Sequence, residues 1–192
     1  MPSQCIPDDF YKKIKPRLYE SIGRELRLAF RILDIGCGSC ELGGFLKRRY
    51  HQQVTGVDIS VEKLPTQRRQ SRKDGYVRCI RGDASNLGFI ENDSIDAVVS
   101  MWALHEMKKP EKALREARRK LRLGGKILIV DFPCRSLAKR LWDENYYTAS
   151  QIKKMLMKVG FQEVQARTVE QKQVIWATGW RIASSPTCIR RK

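Results

Sequence analysis

The chain has 192 residues, of which 42% are hydrophobic, so it is long enough for one well-buried domain and too short for two ordinary ones. No apolar run approaches the roughly 18 residues that a membrane span needs, and the N-terminus lacks the apolar core of a signal peptide. We therefore expect a single cytoplasmic domain, residues 1–192, without a membrane span, and its 38 Lys and Arg against 21 Asp and Glu exclude an acidic protein.

The formal net charge of +17 favours contact with polyanions such as RNA or phosphorylated metabolites, although it identifies none of them. Much of this charge stands at helical spacing around Ala113, Ala117 and Leu121. The arginines concerned are Arg115, Arg118, Arg119 and Arg122. The favoured interpretation is a solvated helix face, and an anionic partner or RNA is the alternative.

The six cysteines are scattered over predicted strands and turns, which does not suggest a disulfide framework and is typical of a reducing compartment. Cys37 and Cys40 form a C-x-x-C pair. Because no second pair and no histidine cluster accompanies them, we predict no metal site.

The N-terminal part, residues 8–30, has helical patterning that is interrupted at Pro16 and places Leu18, Ile22, Leu26 and Phe30 at steps of four. It predicts a helical segment that packs beside the first strand. The next stretch, ILDIGCGSC at 32–40, predicts a strand over 31–35, a tight turn and a helix over 41–50, the place where α/β domains hold a nucleotide. Glu41 stands where a dinucleotide fingerprint has its third glycine, which favours a nucleoside ligand without phosphates.

Two further strands end next to acidic residues. The run 54–60 has the near-continuous apolar character of a strand buried in a parallel sheet, and it contains Asp58, whose carboxylate can accept hydrogen bonds from both hydroxyls of a ribose. A basic helix end and turn over 68–75 leads to a third strand, 76–80, which is followed by Asp83.

The second half continues the alternation with a strand over 94–100, a helix from Pro110 to Gly124 and a strand over 126–133. The aromatic stretch 134–149 has no clear pattern. We then predict a helix from a Ser150 cap to Gly160, and an antiparallel pair of strands over 161–169 and 171–180.

The motif D-x-G-x-G at Asp34, Gly36 and Gly38, together with Gly82-Asp83-Ala84 after the third strand, resembles class I S-adenosylmethionine (SAM) methyltransferases over nearly the whole chain. The segment after strand 4 and the pair Gly124-Gly125 resemble the small-molecule, type 11 branch, which is typified by ubiquinone and menaquinone biosynthesis. The resemblance implies an α/β, Rossmann-like fold with a seven-stranded, mostly parallel sheet, an antiparallel last strand and helices on both faces.

The same resemblance implies an N-terminal helical lid (1–30), a possible substrate cover (134–149), a basic tail (183–192), and SAM as the methyl donor, with S-adenosylhomocysteine as the product. It implies that Asp58 binds ribose, that Asp83 and Ala84 bind adenine, and that Ile59 stacks on the adenine. The full cofactor set is Asp34, Gly36, Cys37, Gly38, Asp58, Ile59, Asp83, Ala84 and Ser100. Cys40 departs from the family, which often has a glycine there.

For the acceptor side, His105 after strand 4 is the candidate general base, because its ordinary pKa is near neutrality, and Asp131 is a candidate to orient the acceptor. Tyr19, in the N-terminal segment, is a further residue that could approach the cofactor. The candidate substrate residues are Tyr11, Trp102, Tyr146 and Tyr147.

The expected activity is in-line methyl transfer to a small-molecule acceptor. The alternatives are a SAM-binding regulatory module and an RNA methyltransferase that uses the basic surface. Enzymes that methylate amino groups of nucleic acids carry an Asn/Asp-Pro-Pro-aromatic motif where this chain has Ser-Met-Trp-Ala at 100–103, which argues against that class. Enzymes that make 5-methylcytosine in RNA have a second Pro-Cys after strand 4, and the chain has only the one at Cys134, which argues against that class as well.

Overall fold

The computed structural model describes residues 6–60, 62, 64 and 77–183. Its strands are β1 (Arg31–Ile35), β2 (Gln53–Asp58), β3 (Arg78–Arg81), β4 (Ile95–Met101), β5 (Leu121–Asp131), β6 (Gln162–Val169) and β7 (Val174–Arg181). Its α-helices are α1 (Phe10–Glu25), α2 (Glu41–Tyr50), α3 (Pro110–Lys120), α4 (Leu137–Trp142) and α5 (Ala149–Lys158), and a 3-10 helix covers Leu104–Glu106. None of the helices in these ranges is long and apolar enough to cross a bilayer.

All seven strands form one sheet in the order β3-β2-β1-β4-β5-β7-β6. The pairs among β1 to β5 are parallel, and β7 runs antiparallel to both of its neighbours, β5 and β6. This confirms the predicted seven-stranded, mostly parallel sheet with an antiparallel last strand. The parallel strands therefore bring the carboxyl ends of β1, β2, β3 and β4 to one edge, where open α/β sheets bind ligands.

Helices cover both faces of the sheet, because successive strand residues point to opposite sides and both sides are apolar. On β1, Ile32 belongs to the core shared with α1 and α2, whereas Leu33 belongs to the core shared with α3 and α5. Both side chains are at most 1% exposed. The central strands are thus buried on both faces, whereas the edge strands β3 and β6 are more exposed.

The N-terminal segment differs from the prediction in two ways. Pro16 does not interrupt α1, which is continuous around it because Ile14, Leu18 and Ile22 are buried against the sheet and outweigh one missing backbone N–H. Phe30 is 60% exposed rather than packed, since α1 ends at Glu25 and the helical spacing that would bring Phe30 inward stops there.

Further differences concern boundaries. The third helix stops at Lys120 and not at Gly124, because Leu121 already pairs with Ile95, and Gly124 lies inside β5 where the β4–β5 register shifts. The cap of α5 is Thr148 rather than Ser150, in a capping box with Gln151.

Two connecting segments are now defined as well. The stretch 134–149 contains the short helix α4, and residues 82–94 connect β3 to β4 through turns without a helix. The predicted helix end at 68–75 and most of the basic tail lie outside the described residues.

Candidate functional site

The glycine turn after β1 is built on hydrogen bonds to the end of β2. Gly36 and Gly38 have φ values of +75° and +50°, a region that side chains with a Cβ disfavour. The backbone N–H groups of Gly36 and Cys37 donate to the Val57 carbonyl at 2.8 and 3.2 Å. Gly38 N–H donates to Asp58 Oδ2 at 2.8 Å. The turn and the end of β2 therefore hold one another in place.

This turn forms one wall of a cavity of about 560 Å³ at the carboxyl edge of the sheet. The cavity is lined by the ends of β1, β2 and β3 on one side and by the segment after β4 on the other. Eight of the nine predicted cofactor residues line it, namely Asp34, Gly36, Cys37, Gly38, Asp58, Ile59, Asp83 and Ala84. Ser100 is not among the lining residues: its side chain is fully buried within β4.

The three acids at this edge, Asp34, Asp58 and Asp83, differ in burial and in hydrogen bonding. Asp34 is 2% exposed and its Oδ2 has no hydrogen-bond partner among the described residues. Burial, followed by the charge of Asp58, raises the pKa of Asp34 to about 7. Asp83 accepts the Ser85 N–H at 2.7 Å, and this hydrogen bond lowers the pKa of Asp83. The site thus combines one buried carboxyl that a cation would stabilise with more exposed carboxylates.

Asp58 is oriented by two backbone groups. Its Oδ2 accepts from Gly38 N–H and its Oδ1 accepts from Ser60 N–H at 2.9 Å. Each carboxylate oxygen has two lone pairs, so each can accept one more hydrogen bond. The residue is therefore able to accept the paired hydroxyls of a ribose.

Sequence reasoning missed Lys15 and Glu41 as cavity residues, and Tyr19 lines the cavity beside them. Lys15 Nζ lies 2.5 Å from Glu41 Oε2, so an ion pair connects α1 to the start of α2 at the cavity. A signal was present: Tyr11, Lys15 and Tyr19 are spaced by four and lie on one face of a helix.

His105 and Asp131 are brought together, and a third group completes the contact. Asp131 Oδ2 accepts the backbone N–H of His105 at 3.1 Å, and its Oδ1 lies 2.6 Å from His105 Nδ1. His105 Nε2 lies 3.1 Å from Glu144 Oε2. Burial lowers the pKa of His105, but the hydrogen bond and charge of Asp131 outweigh it, so the net direction is upward. With carboxylates at both ring nitrogens, the imidazolium form is favoured.

The imidazole is buried and is not among the groups that line the cavity, although its neighbours Trp102 and Glu106 are. His105, Glu106 and Glu144 also place one ligand atom each within 4.8 Å of one another, which is the spacing of a possible metal site. Within the described part of the chain, no other group of three such side chains does so.

The predicted substrate residues mostly join one aromatic cluster beside His105, which we define as Tyr11, Trp102, Phe132, Trp142 and Tyr146. Trp102 stacks on Phe132 with centroids 5.1 Å apart, and Tyr11 stacks on Trp142 at 5.5 Å. The Tyr146 ring lies 4.6 Å from the His105 ring. Only Trp102 of the cluster lines the cavity. Tyr147 lies outside the cluster and packs on the core of the opposite sheet face.

The sequence pattern did not suggest a disulfide, and for one pair of cysteines this was wrong. Cys40 and Cys79 form a disulfide across 39 residues of sequence. The pair was missed because Cys79 lies on β3, and only the parallel pairing of β2 with β3 brings it under the glycine turn. Cys37 and Cys134 are free thiols.

Comparison with known proteins gives this geometry a family. A family model described as "Methyltransferase domain" matches residues 33–129, half of the chain. A ubiquinone/menaquinone biosynthesis C-methyltransferase of Ruegeria sp. is 29% identical over 106 residues, which are 53% of this chain and 42% of that protein. A demethylmenaquinone methyltransferase of Clavibacter sepedonicus is 34% identical over 59% of this chain and 46% of its own. The chain spans about half the length of these relatives.

Solved structures agree on the fold. The PH0226 protein of Pyrococcus horikoshii OT3 matches with a TM-score of 0.75 at 19% identity, over 94% of this chain and 93% of its own. A putative methyltransferase from Haloferax volcanii was solved in complex with the Trm112 methyltransferase activator. It matches with a TM-score of 0.73 at 16% identity, over 93% of this chain and 95% of its own. The [4+2]-cyclase SpnF matches with a TM-score of 0.75 at 18% identity, over 88% of this chain and 82% of its own. On the family match and the fold together, the chain belongs to the class I methyltransferases of the type 11 branch.

Proposed function

We propose that this protein transfers a methyl group from SAM to a small-molecule acceptor. The observation that carries the proposal is the set of three acids, Asp34, Asp58 and Asp83, at the ends of three adjacent parallel strands around one glycine turn. SAM, when bound, supplies an activated methyl on a sulfonium, so most of the catalysis can come from positioning.

The cavity residues fit this cofactor chemically. Asp34 offers a buried carboxyl oxygen that no described residue hydrogen-bonds, which suits a positively charged ligand group. Asp58 accepts the ribose hydroxyls. Asp83 and the backbone at Ala84 recognise adenine, and Ile59, which is 68% exposed at the cavity, covers its face.

The acceptor lies on the side of the cavity formed by Trp102, Glu106 and Tyr19. The indole Nε1 of Trp102 is a buried donor without a hydrogen-bond partner among the described residues. An aromatic wall at Tyr19 and Trp102 with this unpaired donor favours a planar acceptor that carries oxygen. The relatives named for quinone biosynthesis support this class and do not specify the compound.

His105 is the proposed general base for acceptors that must lose a proton. Asp131 holds the ring through Nδ1, so Nε2 is the nitrogen that would accept the proton. The Glu144 carboxylate now lies beside that nitrogen, and it is 48% exposed. An acceptor that reaches Nε2 would displace Glu144, which can pass the proton to solvent.

The test is a transfer assay with methyl-labelled SAM over acceptor classes: quinone precursors and other phenols, thiols, amines, acidic metabolites and RNA. Label in a phenolic or quinone-type acceptor is the expected result. SAM binding without label in any class would favour a regulatory module, and label in RNA alone would replace the small-molecule assignment. The cyclase in this fold shows why transfer itself must be measured.

A further inference from the structure

We propose that the Cys40–Cys79 disulfide is a reversible thiol-redox site that sets the affinity of the cofactor pocket. The inference rests on the proposed function, because its readout is SAM binding. It begins from three sulfurs at one place: Cys40 is bonded to Cys79, and the Cys37 sulfur lies 3.3 Å from that of Cys40.

The bond joins two parts of the pocket that the sequence separates widely. Cys40 precedes α2 at the end of the glycine turn, and Cys79 lies on β3, two residues before the strand ends at Arg81. The turn that follows carries Asp83, and Gly82 N–H donates to the Asp58 carbonyl at 2.9 Å. The disulfide therefore connects the glycine turn to the strand that presents Asp83.

The strand between them leaves space for the sulfurs. Gly56 of β2 pairs with Asp34 of β1 and with Cys79 of β3. A Cβ at Gly56 would lie 2.7 Å from Cys37 Sγ and 3.0 Å from Cys40 Sγ, closer than side chains pack. The absence of a side chain at Gly56 is thus what allows the cluster to form directly beneath the turn.

The turn depends on support at Cys40. Its φ of 59° is in the left-handed region, which is strained for a residue with a Cβ. With the bond intact, β3 anchors this residue. After reduction, the turn can relax to other backbone conformations, and SAM binding must then restore the ordered one.

The chemistry is ordinary thiol–disulfide exchange with a dithiol reductant. One reductant thiolate attacks the half-buried Cys79 sulfur, and Cys40 leaves as a thiolate that takes up a proton. The second thiol of the reductant attacks the mixed disulfide and releases Cys79, so two electrons and two protons pass to the protein and the reductant closes to a disulfide. Burial, with the charges of Asp34 and Asp58, raises the pKa of Cys37, so this third cysteine stays a thiol and does not compete for the bond.

The experiment measures SAM affinity of the full chain by calorimetry in oxidised and reduced dithiothreitol, with alkylation and peptide mapping of each sample. We expect Cys40 and Cys79 to be protected from alkylation only in the oxidised sample. Reduction should weaken SAM binding about fivefold, the lower end of usual coupling between sites.

Cys79→Ser and Cys40→Ser should each give the reduced affinity in both conditions, and Cys134→Ser should keep the wild-type difference. Alkylation of both cysteines in the oxidised sample, or one SAM affinity in both conditions, would overturn this inference and leave the proposed function standing. Absence of SAM binding in every condition would instead remove the proposed function.

Discussion

At the residue scale, the unusual group is Asp34, a buried carboxyl with one oxygen that has no hydrogen-bond partner within the part of the chain that the structure describes. Its folded pKa, about 7, is above the ordinary value, so the folded protein holds a proton that the unfolded chain releases. The stability linked to this proton is fully present below the ordinary pKa and is lost as pH rises through about 7. A cation bound in the cavity would stabilise the charged form and reverse this shift.

We therefore expect SAM binding at pH 6 to release on the order of one proton, because the carboxyl must ionise to meet a positively charged ligand. Calorimetry in two buffers with different ionisation enthalpies measures the number of protons released per SAM bound. Asp83→Asn is the matched control that should keep the release, since the pKa of Asp83 is already lowered. Binding without proton release would show that Asp34 does not face the charge.

His105→Ala should lower kcat by about 10²-fold or more if the acceptor must lose a proton, while the SAM affinity changes little. Because the pKa of His105 is raised, the active neutral form grows as pH increases, so kcat should rise with pH above the ordinary histidine value. EDTA should leave kcat unchanged, which separates a proton carrier from a metal ligand. Equal losses of kcat and SAM affinity would contradict the assignment.

At the element scale, the two glycines of the turn after β1 differ in the space around them. A Cβ added at Gly36 would overlap the Cβ of Ala103, whereas one added at Gly38 meets no atom of the described residues within 4 Å. Both glycines have positive φ, so both substitutions carry backbone strain, but only the first also displaces the segment after β4.

Gly36→Ala should therefore lower the melting temperature and weaken SAM binding more than Gly38→Ala, whose cost is limited to about 1–2 kcal/mol of backbone strain. Thermal denaturation and calorimetry on the pair provide the comparison. Equal effects would mean that Ala103 moves aside.

Thr148→Ala should destabilise the protein by about 1 kcal/mol, because the Thr148 hydroxyl accepts the Gln151 N–H at 3.1 Å. Ser150→Ala is the control and should change the free energy of unfolding by no more than about 0.5 kcal/mol. Chemical denaturation measures both. A larger effect at Ser150 would restore the cap that the sequence pattern predicted.

At the scale of the whole molecule, the net charge of +17 exceeds what the acids of the chain can balance, but arginines of the predicted basic helix face make contacts within the chain. Arg118 donates to the Gly160 carbonyl, Arg119 pairs with Glu116, and Arg122 pairs with Asp96. These contacts support the interpretation of a solvated helix face over a dedicated polyanion surface. RNA retention should accordingly be weak and disappear steeply with salt, whereas tight binding at high salt would contradict this view.

The sequence predicted the sheet correctly, and it marked Asp34, Asp58 and Asp83 because each stands at or just after the end of a strand; their binding roles stay predictions. It predicted His105 and Asp131 separately and missed Glu144, since only the fold of 134–149 brings that carboxylate to Nε2. Cys79 was missed for the same reason: β3 pairing, and no local pattern, places it under the turn.

We infer that the cavity at the ends of β1, β2 and β3 binds SAM through Asp34, Asp58 and Asp83. The test is calorimetry of the oxidised protein with SAM, S-adenosylhomocysteine and NAD, repeated on Asp58→Ala. We expect one site for SAM and its product, no measurable NAD binding, and at least a loss of about tenfold in SAM affinity in the variant, as two lost hydrogen bonds to a charged group would give. Tight NAD binding without SAM binding, or unchanged SAM affinity in Asp58→Ala, would contradict it.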